Sequence, residues 1–258
     1  MKQILELAIT IAREAGSLQR DRFADPRQIE TKSSAIDLVT DVDRACDQLV
    51  LEYITSARPD DAILIEETGA HEGHSGLRWI VDPLDGTTNY AHGFPHFAVS
   101  IAVEREGVRE LAVIYDPMKD ELFSALRGGG AFLNDKPIAV SQVKQLERAL
   151  LATGFGYDVH HAKLDNLEYF ARFIKRAQAV RRAGSAALDL AYVACGRFDG
   201  FWELELHPWD VAAGLLLVDE AGGRSSDLEG GPVPASGQRL LASNGQLHEA
   251  LLQVLSAT

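Results

Sequence analysis

In this 258-residue chain, residue types and spacing describe chemistry most directly at Asp82-Pro83-Leu84-Asp85-Gly86-Thr87-Thr88-Asn89. The apolar run Trp79-Ile80-Val81 leads straight into the carboxylate of Asp82. Pro83 removes a backbone donor and fixes φ, so the chain must turn. Asp85 returns a second carboxylate, and the Leu84 carbonyl between them is a neutral oxygen donor. Two carboxylates and a carbonyl on one tight turn are hard ligands of the kind that suits Mg²⁺. Gly86-Thr87-Thr88 then offers backbone N–H groups at a helix start, an anion site. Metal and phosphate would share one short segment. The same residues also build an ordinary Asx-rich turn at a strand end, and the segment alone leaves both readings open.

Further acids stand where they could join this turn. Glu66-Glu67 ends the apolar run Ala62-Ile63-Leu64-Ile65, and neighbouring strands could set Glu66 beside Asp82. Asp210, in His207-Pro208-Trp209-Asp210, opens an apolar helix, and Asp43 follows Thr40 in the same manner. Each has a plain alternative: a solvated strand end for the glutamates, helix capping for the aspartates. His71 and His74 read as a polar surface loop, and His92 and His96 as packing or the rim of a site. Arg181-Arg182 could meet a second anionic group, or be surface charge or a subunit contact. Arg127-Gly128-Gly129-Gly130 has the glycine density of a phosphate loop but lacks a following Lys-Ser/Thr, and reads as a turn.

The elements that must carry these residues are coarse but legible. Ile4, Leu7, Ile11, Ala15 and Leu18 recur at helical spacing. A second helix follows Thr40 as cap, with Ala45, Leu49, Tyr53 and Ile54 inward. Strands are expected at 62–65, 79–81, Phe97–Val103, Leu111–Tyr115, Glu121–Ala125 and Pro137–Val140. The second half alternates: strand Leu150–Thr153, helix Ala162–Ala177, buried helix Ser185–Cys195, strand Asp199–Leu206, helix Val211–Ala221 closed by Gly222-Gly223, strand Arg239–Ala242 and a terminal helix. This is layered α/β packing. One compact unit is expected over 1–258, in two intimate halves at roughly 1–145 and 146–258.

The net charge of −13 repels nucleic acid and anionic membranes, so no direct nucleic-acid binding is expected. It also repels a phosphorylated substrate, so bound cations would have to supply local positive charge. No run of apolar residues is long enough to span a membrane and the start lacks a signal-peptide core, which reads as cytoplasmic. Cys46 and Cys195 read as buried thiols. No Cys-x5-Arg nucleophile loop is present, and the Asp82 segment lacks the Asp-x-Asp of a phospho-aspartate motif.

Glu66-Glu67, Asp82 to Asn89, and Trp209-Asp210-Val211-Ala212-Ala213-Gly214, in this order, resemble the inositol monophosphatase family in its bacterial branch. The resemblance covers essentially the whole chain, including Lys32-Ser33-Ser34 ahead of Asp37-Leu38-Val39-Thr40, Gly184-Ser185-Ala186-Ala187 and Glu220-Ala221-Gly222-Gly223. It implies alternating α-β-α-β-α layers, inhibition by Li⁺, a homodimer, and Mg²⁺-dependent hydrolysis of a small phosphate monoester, first of all myo-inositol 1-phosphate. Glu66, Asp82 and the Leu84 carbonyl would hold one Mg²⁺, Asp82, Asp85 and Asp210 a second, with a third, weaker ion near Glu66. Asp43 and Thr87 match the pair that orients and deprotonates the attacking water, with Glu66 beside them as a catalytic residue. Gly86 and Thr87 match the phosphate cradle; Asp85, Ala186, Glu203 and Asp210 match the substrate side.

The same scaffold serves fructose 1,6-bisphosphate, histidinol phosphate and nucleotide 3′-phosphates, or a partner-binding role in gene expression. Glu205 stands where many inositol phosphatases have Gly two residues after the matching Glu, so the polyol side is where substrates would be told apart.

Overall fold

The computed structural model describes residues 1–25, 28–157, 159, 161 and 165–257. Helices α1 (Lys2–Asp21) and α2 (Asp41–Ala57) form the first layer. Between them β1 (Ile29–Thr31) and β2 (Leu38–Thr40) pair as an antiparallel hairpin.

The second layer is an eight-stranded sheet. Its strands are β3 (Ala62–Ile65), β4 (Gly69–His71), β5 (Leu77–Asp85), β6 (Ala98–Arg105), β7 (Val108–Asp116), β8 (Glu121–Leu126), β9 (Gly130–Leu133) and β10 (Lys136–Ile138), in the order β10-β9-β8-β7-β6-β5-β3-β4. Only β3 and β5 run parallel; the other neighbours are antiparallel. β5 leads into the short helix α3 (Thr87–Ala91).

A five-stranded sheet forms the fourth layer: β11 (Leu150–Thr153), β12 (Ala179–Arg181), β13 (Gly200–Leu204), β14 (Arg224–Ser226) and β15 (Arg239–Ser243), ordered β12-β11-β13-β15-β14. After α4 (Leu167–Ile174), the helices α5 (Ala186–Ala194) and α6 (Pro208–Glu220) lie between the two sheets, and α4 packs with α7 (His248–Ser256) beyond the second. The α-β-α-β-α layering expected from the sequence is the architecture found.

Strand periodicity explains why the central strands read as unbroken apolar runs. Successive side chains on a strand face opposite ways. Val99, Ile101 and Val103 of β6, with Leu111 and Val113 of β7, pack under α1 and α2. Ala98, Ala102, Ala112 and Ala125 face the other way, into the cluster around α5 and α6. Both faces are covered, so both must be apolar; the alanines leave room for the middle helices to come close.

Three expectations need correction. α2 turns Val42, Cys46, Val50 and Ile54 inward, while Ala45 and Leu49 are half-buried and Tyr53 is 38% exposed. The two stripes differ by one position, and the sheet selects the more continuous one. The helix expected at 162–177 is present over Leu167–Ile174, while 162–164 lie outside the described residues. The three-residue strands β1, β2, β4, β12 and β14 are too short to show a period and were not expected. Among the described residues no helix is long and apolar enough to cross a membrane.

Candidate active site

Asp82 and Asp85 are three residues apart, and on a regular strand they would face opposite ways. They do not, because β5 carries a bulge. Asp82 pairs with Ser100 and Asp85 with Ala98, so β5 spends one residue more than β6 between the two pairs. Pro83, which cannot donate to the ladder, sits at this irregularity. The bulge restores parity: Asp82, Leu84 and Asp85 all line one cavity. Across the parallel register Ile65 pairs with Val81, so Glu66 and Asp82 continue the two strands side by side at their carboxyl ends. Gly86 then turns with φ 98°, where a Cβ would crowd His96 O at 3.1 Å and Gly184 O at 3.3 Å.

Two helix starts complete the arrangement. Thr40 caps α2, accepting from Val42 N and Asp43 N, and Asp43 accepts in return from Thr40 N at 2.8 Å and from the Thr40 hydroxyl. The other oxygen of Asp43 lies 2.7 Å from Thr87 Oγ1, which is also 3.2 Å from the Leu84 carbonyl. At α6, Asp210 folds back on the chain and accepts from His207 N at 2.7 Å. Capping and function are therefore not alternatives for Asp43 and Asp210: one oxygen of each is fixed by its helix start.

The N-terminus of α5 is aimed at Asp85, whose Oδ2 accepts from the Ser185 hydroxyl and from Ala187 N at 2.9 Å. Glu66 accepts from Lys32 at 2.8 Å, and Lys32 also binds Glu67. Glu66, Asp82, Leu84, Asp85, Gly86, Thr87, Ala186, Glu203 and Asp210 line the same cavity, and Asp43 joins it through Thr87. The structure brings all the sequence-identified site residues together.

The acids in this cavity are held under electrostatic stress. Burial pushes Glu66 up to about 7 against the pull of Lys32, and Asp85 up to about 6 against its Ser185 and backbone donors. Asp82 is driven well above the ordinary carboxylate range by burial, then by the charges of Glu66, Asp85 and Asp210. Burial raises Asp210 in the same way, despite the His207 N–H. Asp43 is raised by burial and opposed by the Thr40 and Thr87 hydroxyls. Glu203 is pushed up to about 8 by burial, with Arg182 opposing.

Among the described residues no three His, Cys, Asp or Glu side chains are already arranged to hold a metal ion. Glu66, Asp82, Asp85 and Asp210 each turn an oxygen to a protein donor, and their charges repel one another. The donor set nevertheless fits a hard divalent cation. Asp82 and Asp85 are buried and Glu66 and Asp210 half-buried; with the Leu84 carbonyl they line one cavity, and positive charge placed among them would reverse the stress.

Several residues fall elsewhere. Arg182 lines the cavity but Arg181 does not. His96 is buried, His92 is exposed, and His71 lies 3.4 Å from Thr68 Oγ1, outside the site. The triple glycine loop is an anion nest filled from within: Gly128 N and Gly130 N donate to Glu220 at 2.7 and 2.9 Å. Cys46 and Cys195 are free thiols. Sequence reasoning gave no role to Ser185, Asp189 or His207, which also line the cavity, His207 stacked on Trp209 at 4.9 Å. The run Gly184-Ser185-Ala186-Ala187 carries a helix-cap signal that points to Ser185, while Asp189 gives no local signal.

This arrangement matches known proteins over its whole length. The inositol monophosphatase family matches residues 1–258. The chain belongs to the inositol monophosphatase family. Among its relatives, an inositol-1-monophosphatase of Synechocystis sp. is 43% identical over 255 residues, covering 98% of this chain and 89% of that protein. The Nus factor SuhB of Escherichia coli K12 is 42% identical over 254 residues, covering 98% of this chain and 95% of the relative. Among solved structures, the extragenic suppressor protein suhB of Bartonella henselae superposes with a TM-score of 0.92 at 39% identity, covering 98% of each chain. The inositol monophosphatase of Anabaena (Nostoc) sp. gives 0.89 at 41% identity, covering 98% of this chain and 95% of that one. Family membership supports a phosphatase enzyme.

Proposed function

We propose that this family member is a Mg²⁺-dependent phosphatase that hydrolyses myo-inositol 1-phosphate to myo-inositol and phosphate. One observation carries the reading: Glu66, Asp82, the Leu84 carbonyl, Asp85 and Asp210 line a single cavity, with the Asp43–Thr87 pair at its edge. Glu66, Asp82 and Leu84 would hold one ion, Asp82, Asp85 and Asp210 a second, with a third near Glu66. When bound, Mg²⁺ supplies positive charge against the phosphate oxygens and acidity to a water molecule.

The chain's own residues do the rest. Thr87 has one hydroxyl hydrogen and donates it to Asp43, so its lone pairs are open to accept from a water. As that water attacks phosphorus, the bond from phosphorus to the ester oxygen breaks; the water's proton passes to Thr87 Oγ1 while the Thr87 proton moves to Asp43, the departing alkoxide takes up a proton from solvent, and Asp43 later returns its own to solvent. The raised affinity of Asp43 for a proton suits it to receive one. Gly86 and Thr87 present backbone N–H groups to the phosphate, and Ala186 and Glu203 face the alcohol that leaves. Inhibition by Li⁺, a cytoplasmic location and a homodimer belong to the same proposal.

A phosphate-release assay with Mg²⁺ tests it on inositol 1-phosphate, fructose 1,6-bisphosphate, histidinol phosphate and adenosine 3′,5′-bisphosphate. A preference of at least tenfold in kcat/KM for inositol 1-phosphate is expected, and comparable rates on all four would refute it.

The SuhB relatives named Nus factors support a second role through a protein partner in gene expression. Partner capture that survives Asp82→Asn would show that role to be independent of catalysis; loss of capture together with turnover would tie the two.

A further inference from the structure

Two acids line the cavity of which only one has been given a task. Asp189 on α5 is 1% exposed and Glu203 on β13 is 8% exposed. Among the described residues neither carboxylate accepts a hydrogen bond from the protein, and Oδ1 of Asp189 is buried with no partner at all. The Glu203 carboxylate lies close against Gly154, where an added Cβ would overlap both of its oxygens. Arg182 attracts both acids, whereas Glu203 and Asp85 repel Asp189.

Buried polar groups are ordinarily satisfied, and an unsatisfied one calls for an explanation. The described residues offer Asp189 Oδ1 no donor, and a ligand in the cavity that Asp189 lines is the candidate to supply one. Hydroxyl groups match, because each can donate to a carboxylate while accepting from Arg182 or from a protonated carboxyl. Burial pushes Glu203 up to about 8, with Arg182 opposing. A second phosphate would instead meet Asp189, Glu203 and Asp85 against one arginine.

We propose that Asp189 is a further specificity-determining residue: with Glu203 it forms a two-carboxyl clamp on hydroxyls of the leaving alcohol, selecting monophosphates of uncharged polyols over bisphosphates and over esters without hydroxyls. The clamp rests on the reading of this cavity as a polyol phosphatase site. α5 and β13 hold the two carboxyls on separate rigid elements, so the clamp senses the spacing of two hydroxyls and not only their presence.

The test measures kcat and KM of the full chain and of Asp189→Asn on myo-inositol 1-phosphate, fructose 1,6-bisphosphate and p-nitrophenyl phosphate. The kcat/KM ratio of inositol 1-phosphate to p-nitrophenyl phosphate should fall at least tenfold in the variant, chiefly through KM. Its ratio to the bisphosphate should fall as well. An equal loss on all three esters assigns Asp189 to the fold and overturns the clamp, as does failure of both Asp189→Asn and Asp189→Ser to fold. If the parent shows no preference for inositol 1-phosphate over p-nitrophenyl phosphate, the functional reading falls and the clamp with it. If that preference exists and survives in Asp189→Asn, only the clamp falls.

Discussion

Thr87 Oγ1 lies 2.7 Å from Oδ1 of Asp43, joining residues 44 apart in the chain. Thr87 begins α3 just past the bulged end of β5, and Asp43 sits in the first turn of α2. The second oxygen of Asp43 is committed to Thr40. The carboxylate therefore cannot rotate away from Thr87, and a helix cap fixes the geometry of a proton acceptor.

Thr87→Val keeps the shape of the side chain and deletes the hydroxyl. kcat should fall by about 10²- to 10⁴-fold, the usual contribution of a positioned acid–base group, while KM stays within about twofold. Stability should drop by about 1–3 kcal/mol, because Oδ1 of Asp43 is left buried without its donor. Steady-state kinetics with a denaturation curve checks both parts. A kcat within tenfold of the parent would remove Thr87 from the water-activating pair.

Asp82→Asn removes the ionisable group that Glu66, Asp85 and Asp210 all repel, at nearly constant volume. Without divalent cations the variant should be more stable than the parent by about 1–3 kcal/mol, since repulsion from Glu66, Asp85 and Asp210 is relieved. Mg²⁺ should act against this difference: at a hundred times Kd the parent gains about 2.7 kcal/mol by mass action, and the variant much less. Turnover should be nearly lost. Thermal scans in EDTA and in Mg²⁺ decide the matter, and an equal Mg²⁺ shift in both proteins would contradict the ligand assignment.

How much of this was legible in the sequence follows from what each residue depends on. Asp82, Asp85 and Gly86 announce themselves because the turn chemistry is local. Glu66 and Asp210 reach the cavity only through a parallel register and a helix entry from the other half of the chain, and it is the resemblance to the family that points to them. The face of α2 was misread by one position because its inward residues are chosen by the sheet beneath, not by the helix. Asp189 gives no local signal: on a buried helix it looks like any N-terminal acid, and its meaning lies in β13 and Gly154, which only the fold brings to it. Glu205 stands where the family resemblance leads one to expect Gly, and its φ of 63° puts the backbone in the left-handed region that favours glycine.

Glu220 offers a check on the reading of the triple glycine as structural. Its carboxylate occupies the nest of Gly128 N and Gly130 N and so ties the end of α6 to the turn between β8 and β9. Glu220→Ala should cost about 1–2 kcal/mol of stability, the worth of charge-assisted bonds at a partly exposed site. kcat and KM should be unchanged. Chemical denaturation and phosphate release measured on the same sample suffice; a kinetic effect without a stability loss would show that the loop belongs to the active site.

His248 makes acid stability a test of burial. It is fully enclosed, with Nδ1 2.8 Å from Ser243 Oγ and Nε2 2.9 Å from Ser226 Oγ. Ser226 donates its hydrogen to Asp227 O, so it must accept from Nε2–H, and Nδ1 is left to accept from Ser243. The neutral ring is thus satisfied on both sides. Burial, then the charge of Arg224, push its pKa from 6.5 down to about 4. In the unfolded chain His248 binds a proton below about 6.5, and in the folded chain it does not until about 4. The unfolded state therefore carries more protons in that window, and the stability His248 contributes is complete above about 6.5 and lost as pH falls towards 4. His248→Gln lacks this titration, so the stability difference between parent and variant should shrink with falling pH across the window. Urea unfolding of the two proteins in EDTA at half-unit pH steps measures it, and a difference that stays flat or widens on acidification would show that the folded ring accepts its proton at an ordinary pH.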